Sequence, residues 1–438
     1  MSADFHLARL AGDFTVPLEE APALMARFHR EMERGLAGGD GSLRMLPSFI
    51  GRPRGTERGR YLALDMGGTN IRVLEAELDG ARRASLTAVR RFVIPPAVMH
   101  GPGRELFDFL AGCVAAFVAG HPPRGERNAL AFTFSFPFAP LGVSAGRVIA
   151  WTKGFTAEGV IGRDVGGLLN EALARRGLGH LSVGVLINDT VGTLLAGAYA
   201  RPACDLGVIL GTGTNACYFE DAGRIKKLPG DRHEGEVIVN LEWGSYDGFP
   251  ANRFDGKVDE ASLNPGRQRM EKMVSGLYLG EIARLALREM AEEGLLAPAT
   301  GKALEKPFSL STRDLALLRE GDESETAWLG PVAPPDRRVL AAVARLVLGR
   351  SARIAALAVA SVLTWMDPDL SSPHAVAVDG ALFAHNPSYR AEMADTLRAV
   401  GGAASDNVHL FLIQDGSGIG AAVAGAVAAG SRGDGGEV

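Results

Sequence analysis

A carboxylate flanked by an amide and a hydroxyl, Asn188-Asp189-Thr190, stands where the apolar run of residues 183–187 ends and a helical pattern over residues 190–200 begins. Asn, Asp and Thr are ordinary helix-capping types, so the tripeptide reads first as an N-cap. The same position keeps an aspartate ionised beside a helix dipole and turns it towards the crevice at the end of a parallel strand. An ionised aspartate there can take a proton from a hydroxyl while that oxygen attacks a γ-phosphate. Two glycine turns supply the other half of such a reaction. The strand pattern RYLALDM runs into Gly67-Gly68-Thr69-Asn70 and leaves as IRVLEAEL; residues 206–210 run into Gly211-Thr212-Gly213-Thr214-Asn215 and leave as ACYFE. Glycine brings backbone N–H groups close to an anion and threonine adds a hydroxyl donor. Either turn alone reads as a plain hairpin; the repetition favours two facing phosphate turns holding one nucleotide.

Two commoner glycine motifs do not apply. Gly211, Gly213 and Ala216 satisfy G-x-G-x-x-[GA], but a strand pattern with Tyr218 and Phe219 follows where a dinucleotide fingerprint needs a helix. No G-x-x-x-x-G-K-[ST] occurs in the sequence.

Other polar groups interrupt apolar surroundings. Glu242 stands in Val239-Asn240-Leu241-Glu242-Trp243-Gly244, and a carboxylate there needs a partner or a polyhydroxyl ligand. Gln268 and Glu271 are three apart in a pattern that predicts one long helix over residues 266–290, which puts them on a shared face. Thr152 and Lys153 lie between Trp151 and Phe155, and Ser135 ends the apolar strand pattern of residues 129–134. Gly416 and Ser417 directly precede the final helical pattern, 418–429, a place where a phosphate or ribose can rest. Each of these, taken alone, also has a purely structural reading. Together they offer many neutral donors and acceptors, several carboxylates and few cations. That inventory suits a neutral polyol acceptor and a nucleotide donor.

The elements that must position these residues alternate strand and helix, which predicts an α/β fold with two related lobes and a cleft between them. Helical patterns cover residues 17–36, 104–118 and 338–366, and 295–338 reads as a polar, proline-bearing connector. At 438 residues the chain exceeds one core, and 47% hydrophobic with 22% charged residues is ordinary for a globular protein. A net charge of −5 gives no reason to expect nucleic acid or a membrane surface. Cys113, Cys204 and Cys217 form no C-x-x-C, the nine histidines form no ligand-spaced cluster, and the N-terminus has no apolar signal core. A reduced, cytoplasmic protein is expected, with its longest apolar stretch, 354–366, a buried helix.

On these motifs the chain resembles the hexokinase family. The resemblance runs from Met45-Leu46-Pro47-Ser48-Phe49 through Leu64–Val73, Phe134-Ser135-Phe136-Pro137, Trp151–Phe155 and Asn188–Thr193 to Leu210–Tyr218. It continues through Asn240–Gly244, Asn264–Gln268 with Glu271-Lys272-Met273, and Asp379-Gly380, and ends at Asp415-Gly416-Ser417-Gly418-Ile419-Gly420. It implies a two-lobed actin-like ATPase (ribonuclease H-like) fold with duplicated βββαβα cores. Residues 1–53 with 189–416 would form the large lobe, and 54–188 with the returning 417–438 the small lobe. The implied activity is ATP-dependent phosphorylation of the 6-hydroxyl of a hexose, glucose first, opening glycolysis. A sugar-sensing relative without turnover is the alternative, and another actin-fold ATPase would leave the Glu242, Gln268 and Glu271 group unexplained.

By motif, Asp189 would be the base and Lys153 its catalytic companion. Ser135, Thr152, Lys153, Asn188, Asp189, Asn215, Glu242, Gln268 and Glu271 would surround the hexose. Asp65, Gly67, Gly68, Thr69, Asn70, Arg72, Gly211, Thr212, Gly213, Gly416 and Ser417 would serve ATP. Mg²⁺ would arrive with ATP, held through water near Asp65 and Asp189 rather than by direct ligands. The chain departs from the pattern at Ile71, where Phe is usual, and at Ala381, where a serine is common. Monomer and homodimer both remain open, as does the choice among glucose, mannose and fructose.

Overall fold

The computed structural model describes residues 3–121, 129–228, 235–321, 332 and 334–433. Its thirteen strands, among the described residues, are β1 (Leu46–Pro47), β2 (Arg58–Met66), β3 (Asn70–Asp79), β4 (Ala84–Val93), β5 (Ala129–Phe134), β6 (Phe138–Gly142), β7 (Ala145–Val148), β8 (Ser182–Ile187), β9 (Cys204–Leu210), β10 (Thr214–Asp221), β11 (Glu236–Asn240), β12 (His374–Asp379) and β13 (Val408–Leu412). One sheet has the order β4-β3-β2-β5-β8, the other β1-β11-β10-β9-β12-β13, and β6 pairs with β7 alone. The two larger sheets share one plan. An antiparallel meander (β2-β3-β4, or β9-β10-β11) is extended from its first strand by two parallel strands, β5 and β8 or β12 and β13.

The parallel arrangement decides where chemistry can occur, because loops leaving the C-terminal ends of such strands converge on one crevice. β2 ends at Met66 before the first glycine turn, β5 at Phe134 before Ser135, and β8 at Ile187 before Asn188 and Asp189. In the second sheet β9 ends before Gly211, β12 before Gly380, and β13 shortly before Asp415 and Gly416.

Two helices lie between the sheets. Asp189–Ala200 packs on β9, β10 and β12, and Gly416–Gly433 packs on β2, β3, β5 and β8 and against Asp189–Ala200. Ten of the twelve residues of Asp189–Ala200 are buried, because it meets protein on every side. Each of Val191, Leu194 and Leu195 contributes about 1.5–3 kcal/mol by leaving water. The two helices cross at glycine: a Cβ on Gly420 would stand 1.8 Å from the carbonyl oxygen of Gly192. One apolar core surrounds these helices, a second lies under the outer face of the first sheet, and the largest packs helices behind the second sheet.

Several elements differ from the sequence expectation. The 266–290 helix is two helices, Arg269–Val274 and Leu279–Glu292, and Gln268 is the left-handed residue before the first (φ 51°) rather than part of a shared face with Glu271. The break is tertiary: Gly276 N–H donates to the Gly211 carbonyl at 2.8 Å and Leu277 N–H to that of Thr212 at 3.3 Å, so the chain leaves the helix to meet the second glycine turn. The connector after residue 295 contains the helices Pro298–Ala303 and Thr312–Glu320, and 322–331 of it lie outside the described residues. Pro334–Met366 is, among the described residues, the one helix long and apolar enough to cross a membrane, and 83% of its most apolar window is buried in the fold.

Candidate active site

Both glycine turns form hairpins. The first joins Met66 to Ile71 and the second Leu210 to Thr214 as paired residues. In the first, Gly68 takes φ 148° beneath the Lys153 stem, and Gly67, Thr69 and Asn70 are exposed at the tip. In the second, Thr212 is exposed while the Gly211 N–H bonds the Gly213 carbonyl at 3.0 Å. Gly380 closes against this turn: a side chain there would stand 2.2 Å from the Leu210 carbonyl oxygen.

The Asn188-Asp189-Thr190 motif divides its work. Asn188 is the N-cap, its side chain accepting from Thr190 N–H at 3.0 Å. Asp189 occupies the first turn, where its Oδ1 accepts from the same N–H at 2.8 Å and from the Thr190 hydroxyl at 3.2 Å. Its Oδ2 is left facing Lys153, whose Nζ is 3.7 Å away. A helix cap and a carboxylate oxygen facing a cation therefore coexist in one tripeptide.

Lys153 is delivered by a turn that aromatic packing holds. Trp151 meets Phe136 edge-to-face and stacks on Phe155, at centroid distances of 4.9 and 5.4 Å, and its Nε1–H donates to Ala157 O at 2.8 Å. Lys153 itself is left-handed (φ 54°) and donates to the carbonyls of Gly67 at 3.1 Å and Ser135 at 2.9 Å. One ammonium thus touches the first glycine turn, the end of β5 and Asp189. The neighbouring Ser135 hydroxyl is buried with no protein partner, and a hydroxyl of that kind calls for a ligand.

A second cluster is built from amides and carboxylates. Asn215 Nδ2 donates to Asn240 Oδ1 at 2.8 Å, and Asn240 Nδ2 donates to Glu242 Oε1 at 2.8 Å. Glu242 is left-handed (φ 54°) and 9% exposed. Burial pushes its carboxyl up to about 7, the Asn240 bond pulls it partly back, and the charges of Asp189 and Glu271 raise it again. Glu271 Oε2 accepts from Thr214 N–H at 3.1 Å; its carboxyl is raised by burial and by Asp189, with Thr214 and Lys153 opposing. Gln268 turns its side-chain oxygen onto Gly244, where any Cβ would lie 2.6 Å from it. Thr152 sits on the Lys153 turn.

The third cluster joins chain segments far apart. Arg72 donates from Nε to Asp65 Oδ2 at 3.0 Å, from Nη2 to the same oxygen and to Ser417 Oγ at 2.7 Å, and from Nη1 to Asp415. Ser417 Oγ also donates to Asp65 Oδ2 at 3.0 Å. Burial works against the Arg72 charge, but Asp65, Asp415 and Asp379 outweigh it and raise its affinity for the proton. Gly416 N–H donates to Asp379 Oδ2 at 3.1 Å. Asp65 Oδ1 is buried without a protein partner. Asn240, Asp379 and Asp415 stood in quoted motifs without a role; the structure gives each a contact. For Asn240 the signal was available, since it alternates with Glu242 at the end of an apolar strand.

Two glycine hairpins on duplicated sheets, a strand-end aspartate between them and a polyol-type cluster beside it define a two-lobed actin-like sugar kinase fold. Comparison with known proteins agrees. Two family models, both described as Hexokinase, match residues 6–199 and 205–427. The chain is 39% identical to Hexokinase-4, chloroplastic, of Oryza sativa subsp. japonica, over 90% of this chain and 82% of that protein. It is 38% identical to Hexokinase-3 of Homo sapiens over 95% of this chain, and spans about half of that longer protein, 46%. The hexokinase from Schistosoma mansoni complexed with glucose superposes with a TM-score of 0.86 at 33% identity, covering 97% of this chain and 100% of that one. The chain belongs to the hexokinase family.

Proposed function

We propose that the protein transfers the γ-phosphoryl group of ATP to the 6-hydroxyl of a hexose, glucose first. Asp189 accepts the hydroxyl proton as the oxygen attacks phosphorus; the bond to the ADP oxygen breaks and ADP leaves with that electron pair. The observation that carries this reading is the Asp189 carboxylate with one oxygen tied to its own helix and the other 3.7 Å from Lys153 Nζ. Lys153 sits where negative charge passes from donor to acceptor and stabilises it.

Ser135, Thr152, Asn188, Asn215, Glu242, Gln268 and Glu271 hold the sugar: paired amides and carboxylates match vicinal hydroxyls, and the partnerless Ser135 hydroxyl gains one. Gly67, Gly68, Thr69, Asn70, Gly211, Thr212, Gly213, Gly416 and Ser417 cradle the nucleotide, with Asp65 and Arg72 behind them. Mg²⁺ enters as part of the ATP substrate, and the buried, unpartnered Asp65 Oδ1 fits an acceptor for water on that ion. The lobes that close on the sugar are residues 1–53 with 189–416 and residues 54–188 with 417–438. Cys113, Cys204 and Cys217 are unpaired thiols, which supports our placing the reaction in the reducing cytoplasm.

A coupled assay of ADP formation with ATP, Mg²⁺ and a panel of glucose, mannose and fructose tests this. Hexose-dependent turnover is expected, with sugar-free ATP hydrolysis orders of magnitude slower because closure excludes water. Hexose binding without ADP formation would instead make the chain a sugar sensor.

A further inference from the structure

Gln268 ends a segment with no regular structure of its own, and Glu271 lies in the short helix, Arg269–Val274, that follows it. Residues 261–268 form no helix or strand, and the chain passes through two left-handed residues, Gly266 (φ 76°) and Gln268 (φ 51°). That backbone region is unfavourable for a residue with a Cβ and persists only where the surroundings impose it.

One ion pair, its ammonium buried, closes this segment. Lys272, its side chain 2% exposed, donates from Nζ to Asp259 Oδ1 at 2.5 Å and to the Asn264 carbonyl at 2.9 Å. Asp259, near the end of the helix Arg253–Glu260, accepts the Gly266 N–H on both oxygens, at 3.1 and 2.9 Å. Three points of the segment, residues 264, 266 and 272, are therefore fixed to one carboxylate and one ammonium. Gln268 lies inside that closure and Glu271 is adjacent to Lys272. A buried ammonium is a costly way to hold a helix to a loop, since an apolar side chain of similar volume serves stability as well. What the pair adds is a fixed geometry.

We infer that Lys272, with Asp259, is a positioning residue for the hexose subsite: it sets the angle at which Gln268 and Glu271 meet the sugar without touching sugar itself. This rests on the assignment of Gln268 and Glu271 to the hexose. The far end of the same segment meets the second glycine turn through Gly276 and Leu277, on anchors that do not involve Lys272. Glu271 itself reaches that turn through the Thr214 N–H, so the nucleotide side should respond to the loss of Lys272 less than the sugar side does.

The test uses Lys272→Met, Asp259→Asn and the double variant of the full chain. Glucose is titrated by intrinsic fluorescence, kinetics are measured for both substrates, and ATP affinity is measured without sugar. The single variants should raise glucose Kd and KM about tenfold or more, as expected for a misplaced binding group. ATP affinity without sugar should change by clearly less than glucose affinity. The double variant should be no worse than the more severe single, because both remove one interaction. Unchanged glucose affinity in a folded single variant, or glucose and ATP affinities falling together with Tm, would overturn the inference. Should Lys272→Met fail to fold, Asp259→Asn decides, since Asp259 is 24% exposed and its loss leaves less buried charge. Wild-type protein that binds no hexose overturns the functional reading and this inference with it; wild-type binding with unaltered variants overturns only the positioning role.

Discussion

Lys153 Nζ lies 3.7 Å from Asp189 Oδ2 while donating to the carbonyls of Gly67 and Ser135. A cation so placed is held by the first glycine turn and by the aspartate at once. Asp189→Asn keeps a side-chain oxygen for the Thr190 cap and removes the proton acceptor. It should lower kcat by about 10²–10⁴-fold at unchanged Tm. Lys153→Met should cost about 10²–10³-fold, the size of one lost fixed donor. Single-turnover measurements with saturating glucose check both; wild-type turnover in Asp189→Asn would remove Asp189 from the mechanism.

If Glu242 holds the hexose as proposed, hexose binding is expected to depend on pH. Its carboxyl is pushed up to about 7 by burial, and the ionised form is the better acceptor for sugar hydroxyls. Glucose affinity should rise as pH increases through about 7, and Glu242→Gln should flatten the profile. Stability runs the other way. The folded chain binds this proton more tightly than the unfolded one, so the contribution is present at low pH and is lost as pH rises from about 4.5 towards 7. Glu242→Gln should therefore raise Tm at mildly alkaline pH while weakening glucose binding. A Tm lower than wild type under those conditions would contradict the burial argument.

Arg72 ties Asp65, Asp415 and Ser417 together with the planar fork that only arginine offers. Arg72→Lys keeps the charge and loses the fork. It should raise KM for ATP about tenfold, the loss of roughly 1.4 kcal/mol of binding, and leave glucose affinity without nucleotide unchanged. Isothermal titration of each ligand separately distinguishes this from a general loosening of the fold.

The two glycine hairpins, the Asn188-Asp189-Thr190 junction and the α/β alternation were legible because turn chemistry and strand-end placement are written in neighbouring residues. The 266–290 region was not. Its apolar spacing suits one helix, and the break comes from Gly276 reaching the Gly211 carbonyl, a contact between segments far apart in the chain. The same holds for Arg72 and Asp415, separated by 343 positions and joined only when the last helix returns to the first sheet. The pair of Lys272 with Asp259 likewise forms only when the turn between two helices brings together residues 13 positions apart.

The helix crossing carries a stability prediction. Gly420→Ala places a methyl group 1.8 Å from a backbone oxygen that no rotamer change can move. It should destabilise the protein by at least about 1–3 kcal/mol, the usual cost of overpacking a core. Chemical denaturation of the variant measures this; a wild-type midpoint would show that the helices separate freely.

That crossing also places two candidate site residues close to one point of contact. Asp189 lies three residues before Gly192 on one helix and Ser417 three before Gly420 on the other, about 4.5 Å along each axis from the contact. If the lobes rotate about this point, a swing of about 10° moves either residue by under about 1 Å at such a short lever arm. Asp189 and Ser417 would then stay registered with each other while the lobes move.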